Sequence, residues 1–155
     1  AYAVLKKISL FEKLVDYSPV LAGTIPLGID VADSDLDIIC EWSNKSAFIQ
    51  ALRDHFSVCE KFLLSEKKIG HQATVIASFQ ESNFAIEVFG QRRPSTEQEA
   101  YKHMLIEYKI LQQQGEKFRQ QIIRLNQQGI KTEPAFAQLL GLEGNPYEAL
   151  LKFNI

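Results

Sequence analysis

Gly23-Thr24-Ile25-Pro26-Leu27-Gly28, followed after a short loop by Asp33-Ser34-Asp35-Leu36-Asp37-Ile38, is the stretch on which the reading of this chain turns. In a strand, successive side chains alternate faces, so Asp35 and Asp37 project to one side and Leu36 and Ile38 to the other. Two carboxylates about 5 Å apart repel by roughly 3 kcal/mol at an effective dielectric of about 20. A chain that fixes them there needs a cation between them, and hard divalent ions such as Mg²⁺ take carboxylate oxygens in this way. Taken alone, the same pattern also suits an exposed strand face with no ligand.

A third carboxylate changes the weighting. Glu87 lies within Phe84-Ala85-Ile86-Glu87-Val88-Phe89, a run with no other charge, and shares a face with Ala85 and Phe89. A carboxylate in an apolar strand is costly unless it is paired, protonated or metal-bound; the competing arrangement is an edge strand with Glu87 facing water. If the two strands are neighbours, Asp35, Asp37 and Glu87 converge as an oxygen-only cluster, which favours Mg²⁺ or Mn²⁺ over zinc. The loop adds a second element. Gly23-Thr24 follows an apolar strand, so backbone N–H groups and one hydroxyl can face an anion at the strand end. Gly28 permits a positive φ or a close backbone approach, although both glycines would equally serve a tight connection.

Together these parts resemble the signature of the nucleotidyltransferase superfamily, which includes DNA polymerase beta and the minimal bacterial nucleotidyltransferases. The family pattern is a strand, Gly-Ser, a short loop with a second Gly, then Asp-Ser-Asp-x-Asp, with a third carboxylate on a later strand. Gly23, Gly28 and the motif Asp33-Ser34-Asp35-Leu36-Asp37 stand at the spacing of the minimal enzymes, and Ile86-Glu87-Val88 matches the third-carboxylate strand. The resemblance covers roughly residues 18–90. The helical remainder is similar only to an uncharacterised bacterial family with the same style of ending over residues 134–151.

The resemblance implies that Asp35 and Asp37 hold the metals bridging the nucleotide phosphates. Glu87 would share the catalytic metal and favour deprotonation of the acceptor hydroxyl. Gly23 and Thr24 would touch the β and γ phosphates, and Gly28 and Ser34 complete the nucleotide-binding set. Two departures stand out. Thr24 replaces the usual Ser and keeps the hydroxyl, while Pro26-Leu27 replaces the common Ala-Arg, removing a cation and a backbone donor. Either phosphate binding is weaker, or another basic residue substitutes, such as Lys67, Lys68, Arg92 or Arg93.

Outward from the motif, periodicity gives the other elements. Residues 3–17 put Leu5, Ile8, Leu10, Phe11, Leu14 and Val15 near one face at helical spacing, and Ser18-Pro19 ends that helix. Residues 20–22 read as a short strand, 23–34 as a loop and 35–41 as a second strand. Ser43-Asn44 suits an N-cap for a helix over 47–56. Residues 59–64 look extended, Glu66-Lys67-Lys68 with Gly70 reads as an exposed turn, and 72–79 with 84–89 reads as a hairpin. Ser95 and Gln98 have capping-box spacing before a helix through Leu111, which Gly115 interrupts. Another helix follows, closed by Gly129. Thr132 suits the cap of a helix to Leu140, and Asn145-Pro146 begins a last one. His103 pairs with Glu99 and Glu107 at i±4, as on a helix surface, or else points at the site. Trp42 either packs in the core or flanks a base-stacking pocket.

The expected architecture is α+β (or α/β): a small mixed sheet with an N-terminal helix, one inserted helix and a C-terminal helical half. At 155 residues it reads as a single domain, with residues 18–90 as the sheet core and 95–155 as the helical extension. Hydrophobic content of 46% and charged content of 23% are those of a soluble globular protein. A net charge of -2 argues against broad binding to nucleic acid. No apolar run approaches the roughly 20 residues needed to span a bilayer, and no secretory signal is visible. Cys40 and Cys59 sit singly in apolar surroundings, as reduced buried thiols do, so a cytoplasmic protein is expected.

The functional expectation is a Mg²⁺-dependent (or Mn²⁺-dependent) nucleotidyltransferase. It would move a nucleoside monophosphate from a nucleoside triphosphate to a hydroxyl of a small molecule or a protein in preference to a nucleic acid, with no membrane as partner. The alternative is a non-catalytic module on the same fold that holds a nucleotide or a partner protein, such as a toxin-antitoxin component.

Overall fold

In the computed structural model, which describes residues 1–154, alternation in two strands divides the protein into two layers. Leu36, Ile38, Cys40, Ile86 and Val88 point to one side of the sheet and join the first apolar core. Asp37, Ile39, Glu87 and Phe89 alternate with them and therefore face the other way. The sheet is mixed, with order β1-β2-β5-β4-β3 for β1 (Val20–Ala22), β2 (Leu36–Glu41), β3 (Glu60–Ile69), β4 (Gln72–Glu81) and β5 (Phe84–Gln91). Strands β2 and β5 run parallel in the register Asp37 opposite Glu87, and the other three pairings are antiparallel. Strand β5 thus has a neighbour on each side, which removes the edge-strand arrangement for Glu87.

The N-terminal segment departs from the expected single helix over 3–17. It forms α1 (Tyr2–Lys7), α2 (Leu10–Lys13) and a 3₁₀ turn at Val15–Tyr17, broken at Ser9, whose φ is 53°. The reason is geometric: at about 100° per residue, Leu5 and Leu10 would stand about 140° apart on a straight helix. The break lets Leu5, Leu10 and Leu14 all reach the core and leaves Val15 outside. The expected loop over 23–34 contains one helical turn, α3 (Thr24–Leu27). The inserted helix α4 (Lys45–Phe56) starts as expected, with the Asn44 side chain accepting from the Ala47 N–H at 3.0 Å. Its Phe48, Leu52 and Phe56 are fully buried against the sheet.

The expected turn at Glu66-Lys67-Lys68 is instead part of β3, paired residue by residue with β4 through Ile69–Gln72. The turn proper is Gly70-His71, with φ of 55° and 64°; Ser82 and Asn83, at 50° and 68°, make the second. Paired positive φ values are the mark of two-residue hairpin turns that follow strand twist. The lysines belong to an edge strand, where charge discourages pairing with another chain.

The helical half begins with α5 (Glu99–Gln127), which bends at Gly115 (φ 80°, ψ -170°), as its sequence position suggested. The expected Ser95–Gln98 capping box is absent. Ser95 Oγ donates to the Ser18 carbonyl at 2.8 Å, and Gln98 Nε2 donates to the carbonyls of Cys40 (2.7 Å) and Arg93 (3.0 Å). Buried carbonyls must find donors, and here that need outweighs local capping. Helix α6 (Thr132–Leu140) has Lys131 at its cap position, so Thr132 is its first residue rather than its cap. In α7 (Pro146–Leu151) the Asn145 side chain accepts from the N–H groups of Tyr147 and Glu148. A second apolar core, with Leu27, Ile29, Ile110, Phe118, Ile122 and Phe136, joins these helices to α3. Ile155, the last residue of the expected extension, lies outside the described residues.

Both cysteines are free; Cys40 is buried and Cys59 only half-buried. No helix is long and apolar enough to cross a membrane among the described residues. Trp42 packs against the first core.

Gly90 meets Phe48 so closely that an added Cβ would lie 2.1 Å from the ring carbon Cε2. Gly90→Ala should therefore destabilise the fold by about 1–3 kcal/mol, as overpacking does, read as a lower urea midpoint at unchanged slope. An unchanged midpoint would show that the ring gives way freely.

Candidate active site

Three elements deliver the acids. The parallel register of β2 and β5 sets Asp37 beside Glu87 on the same face. Asp35 stands just ahead of β2, held by a loop in which Ser34 Oγ accepts from the Val31 N–H at 2.8 Å. One carboxylate oxygen from each of Asp35, Asp37 and Glu87 lies within 4.8 Å of the others, and Asp37 and Glu87 are half-buried. The convergence expected from sequence is therefore present.

The electrostatics are those of crowded like charges. Burial, then Glu87, Asp35 and Glu133, push the Asp37 carboxyl up to about 7, while Lys131 pulls it down. Burial raises Asp35, against the pull of Lys131 and with a further push from Asp33. Glu87 is raised by burial and by Asp35, opposed by Lys67 and Lys131. Donors that are all oxygen, mutually repelling and this close form a set that fits a hard divalent cation.

Next to the acids, β1 pairs Ala22 with Asp37 and leads directly into Gly23. Gly23 has φ 80° and approaches so closely that a Cβ there would sit 2.6 Å from Asp37 Oδ2. Only a residue without a side chain fits that place. Gly23, Thr24, Ser34, Asp35 and Asp37 all line one cleft of about 340 Å³. Gly28 does not: it ends α3 in the left-handed conformation. Arg119, from α5, donates to the carbonyls of Leu27 and Gly28.

The opposite wall comes from the helical half. Glu107, Asn126, Lys131 and Glu133 line the same cleft. Lys131 is the one cation among the residues that line this cleft. Of the substitutes considered from sequence, Lys67 is near enough to act on Glu87, but none of Lys67, Lys68, Arg92 and Arg93 lines the cleft. His103 is buried rather than paired on the surface, with Nε2 2.8 Å from the Tyr147 carbonyl, to which it donates. Glu107 is buried as well, at 3% exposure. Sequence reasoning missed Glu107, Lys131 and Glu133. Lys131 and Glu133 left no signal, but Glu107 shares a helix stripe with Ile110 and Leu111, and a charge on a buried stripe is one.

Residues 3–153 match the family described as Domain of unknown function (DUF4269). No curated protein matches the chain. Among solved structures, the chain is similar to the Cid1 poly(U) polymerase with MgGTP bound, at TM-score 0.57 and 11% identity, over 81% of this chain and 40% of that one. A Cid1 structure with MgATP gives TM-score 0.59 and 11% identity over 96% and 46% of the two chains. The GLD-2/RNP-8 complex gives 0.54 and 10% over 88% and 56%. This chain thus spans about half the length of these enzymes, and at such identities the likeness is one of fold. The fold is the nucleotidyltransferase one that the glycine loop and the acidic motif led us to expect. By the match over nearly its whole length, the chain belongs to the DUF4269 family.

Proposed function

We propose that the protein is a divalent-metal-dependent nucleotidyltransferase, moving a nucleoside monophosphate from a nucleoside triphosphate to a hydroxyl on a small molecule or a protein. Since a fold hosts many activities, the site must carry the argument. The observation that does so is the meeting of Asp35, Asp37 and Glu87 within 4.8 Å. Mg²⁺ or Mn²⁺ bound there would supply the positive charge that in-line phosphoryl transfer needs. Asp35 and Asp37 hold the ion from β2 and its leading loop, and Glu87 completes the set from β5. Gly23 leaves room for the phosphates to come close to the backbone, and Thr24 offers its hydroxyl. Ser34 keeps the loop before Asp35 in shape, and Gly28 acts at one remove by closing α3. Lys131 takes the place of the loop arginine in attracting the triphosphate to an otherwise acidic cleft. The net charge of -2 disfavours broad binding to a nucleic-acid acceptor. The free thiols Cys40 and Cys59 fit a reducing cytoplasm.

A second reading, a binding module without turnover, is favoured by one observation. The arginine nearest the loop, Arg119, is committed to backbone carbonyls rather than free for a phosphate. Calorimetry with MgCl₂ and each triphosphate, run beside a pyrophosphate-release assay, separates the two; tight binding without release selects the module.

Under the transferase reading, Asp35→Asn lowers pyrophosphate release at least about a hundredfold and weakens Mg²⁺ binding, with an unchanged circular dichroism spectrum. Full activity in this variant would refute the assignment. A second expectation concerns pH. Asp37 titrates near 7 when folded and near 3.8 otherwise, so the folded state binds the extra proton between those values. Its contribution to stability is present below about pH 4 and lost as pH rises through about 7. Metal binding removes the repulsion, so melting curves with MgCl₂ and with chelator should diverge towards the upper end of that range. Parallel curves would count against an ion at Asp37.

A further inference from the structure

The triad does not use all the negative charge in the cleft. Glu107, from the middle of α5, stands between the cleft and a second cavity of about 180 Å³ behind it, and lines both. It is 3% exposed, and its Oε1 finds no hydrogen-bond partner among the described residues. Glu133, on α6, lines both cavities too, and its charge adds to the rise that burial causes in the Glu107 carboxyl. Asn126 Oδ1, on the same wall, is a second buried acceptor without a partner. A buried acceptor left unmade is costly, so a wall of them marks a place that a ligand completes.

The chemistry of that ligand follows by elimination. Protein cations do not answer these acids: the ion pairs among the described residues are Lys7–Glu81, Lys45–Glu66 and Arg119–Glu116. Lys131 acts on Asp35, Asp37 and Glu87, and it forms no ion pair with Glu107 or Glu133 among the described residues. A second metal site is not indicated either. The one group of three close metal-ligating side chains among the described residues is the triad, and a hard divalent ion wants about six oxygens. A triphosphate accompanied by two divalent ions is close to neutral and brings no positive charge to spare for Glu107 and Glu133. An ammonium group does, with three N–H donors on a compact cation. The second cavity beside it has Ile39, Ile69, Phe89 and Met104 on its walls, room for the apolar part of the same molecule.

We propose that Glu107 and Glu133, with Asn126, form a subsite for a protonated amine, and that the acceptor of the reaction is an amine-bearing alcohol. This rests on the transferase reading for the word acceptor, and on the cleft alone for the subsite. The amine is held by Glu107 and Glu133 on the helical wall while the hydroxyl is left towards Asp35 and Asp37 on the sheet side of the cleft. Discrimination against neutral alcohols comes from the two carboxylates, which a neutral ligand would leave without a counter-charge.

The test is calorimetry on the full chain with matched probes: glucosamine, ethanolamine and 1,4-diaminobutane against glucose, ethylene glycol and 1,4-butanediol. At least one amine should bind at least about tenfold more tightly than its neutral partner, a ratio set by the cost of an uncompensated buried charge. Glu107→Gln and Glu133→Gln should each abolish that preference, and Asp35→Asn should keep it. Glu133 is only half-buried, so its variant carries the test if Glu107→Gln folds poorly. Equal binding of every amine and its neutral partner, or a preference that survives in the glutamine variants, overturns the subsite. Mg²⁺-triphosphate titrations on the same samples keep the two ideas apart. Triphosphate binding without amine preference sinks the subsite alone, and amine preference without triphosphate binding upholds the subsite while sinking the transferase reading.

Discussion

The parallel pairing of β2 with β5 is the constraint on which this structure depends. Parallel neighbours place equivalent residues side by side on one face, so the register that sets Ile38 against Val88 in the core also sets Asp37 against Glu87 outside it. A shift of one residue would send Asp37 into the apolar layer beneath, among Ile86, Val88 and Phe48, where an unpaired carboxylate is not tolerated. The burial of the even-numbered side chains thus fixes the position of the acids. Core packing and site geometry are two sides of the same strand pair.

The helical half is joined to that sheet by specific polar bonds as well as apolar contact. Gln98 Nε2 satisfies the buried Cys40 carbonyl of β2, and Ser95 Oγ satisfies Ser18 just before β1. These donors fix where α5 begins. Its stripe of His103, Glu107, Ile110 and Leu111 then faces inward. The bend at Gly115 turns the remainder of the helix towards α6 and Phe136. The cleft lies between the two halves, with Asp35 and Asp37 on the sheet side and Lys131 and Glu133 on the other.

What could be read from the sequence was what depends on near neighbours. Alternation in residues 36–41 and a lone charge in 84–89 were enough to bring forward Asp35, Asp37 and Glu87. Gly23 was legible only through its spacing from the acidic motif, since a glycine at a strand end would equally serve a tight connection. Readings failed where a distant partner decided the outcome. The Ser95–Gln98 spacing looked like a helix cap, but carbonyls of Ser18 and Cys40, far away in the chain, claimed both side chains. Glu66-Lys67-Lys68 looked like a turn because charge was taken for exposure, whereas an edge strand is exposed too. Lys131 and Glu133 reach the cleft only through the packing of α6 on α5, and no local pattern encodes that.

Arg119 ties the two walls mechanically. It lies on the bent second part of α5, yet its guanidinium grips the carbonyls that end α3, one helical turn beyond Gly23. Any outward swing of that part of α5 would have to tear a forked cation from two backbone oxygens or drag the glycine loop with it. The gap between the loop and the helical wall is therefore held at a set width, in the manner of a strut.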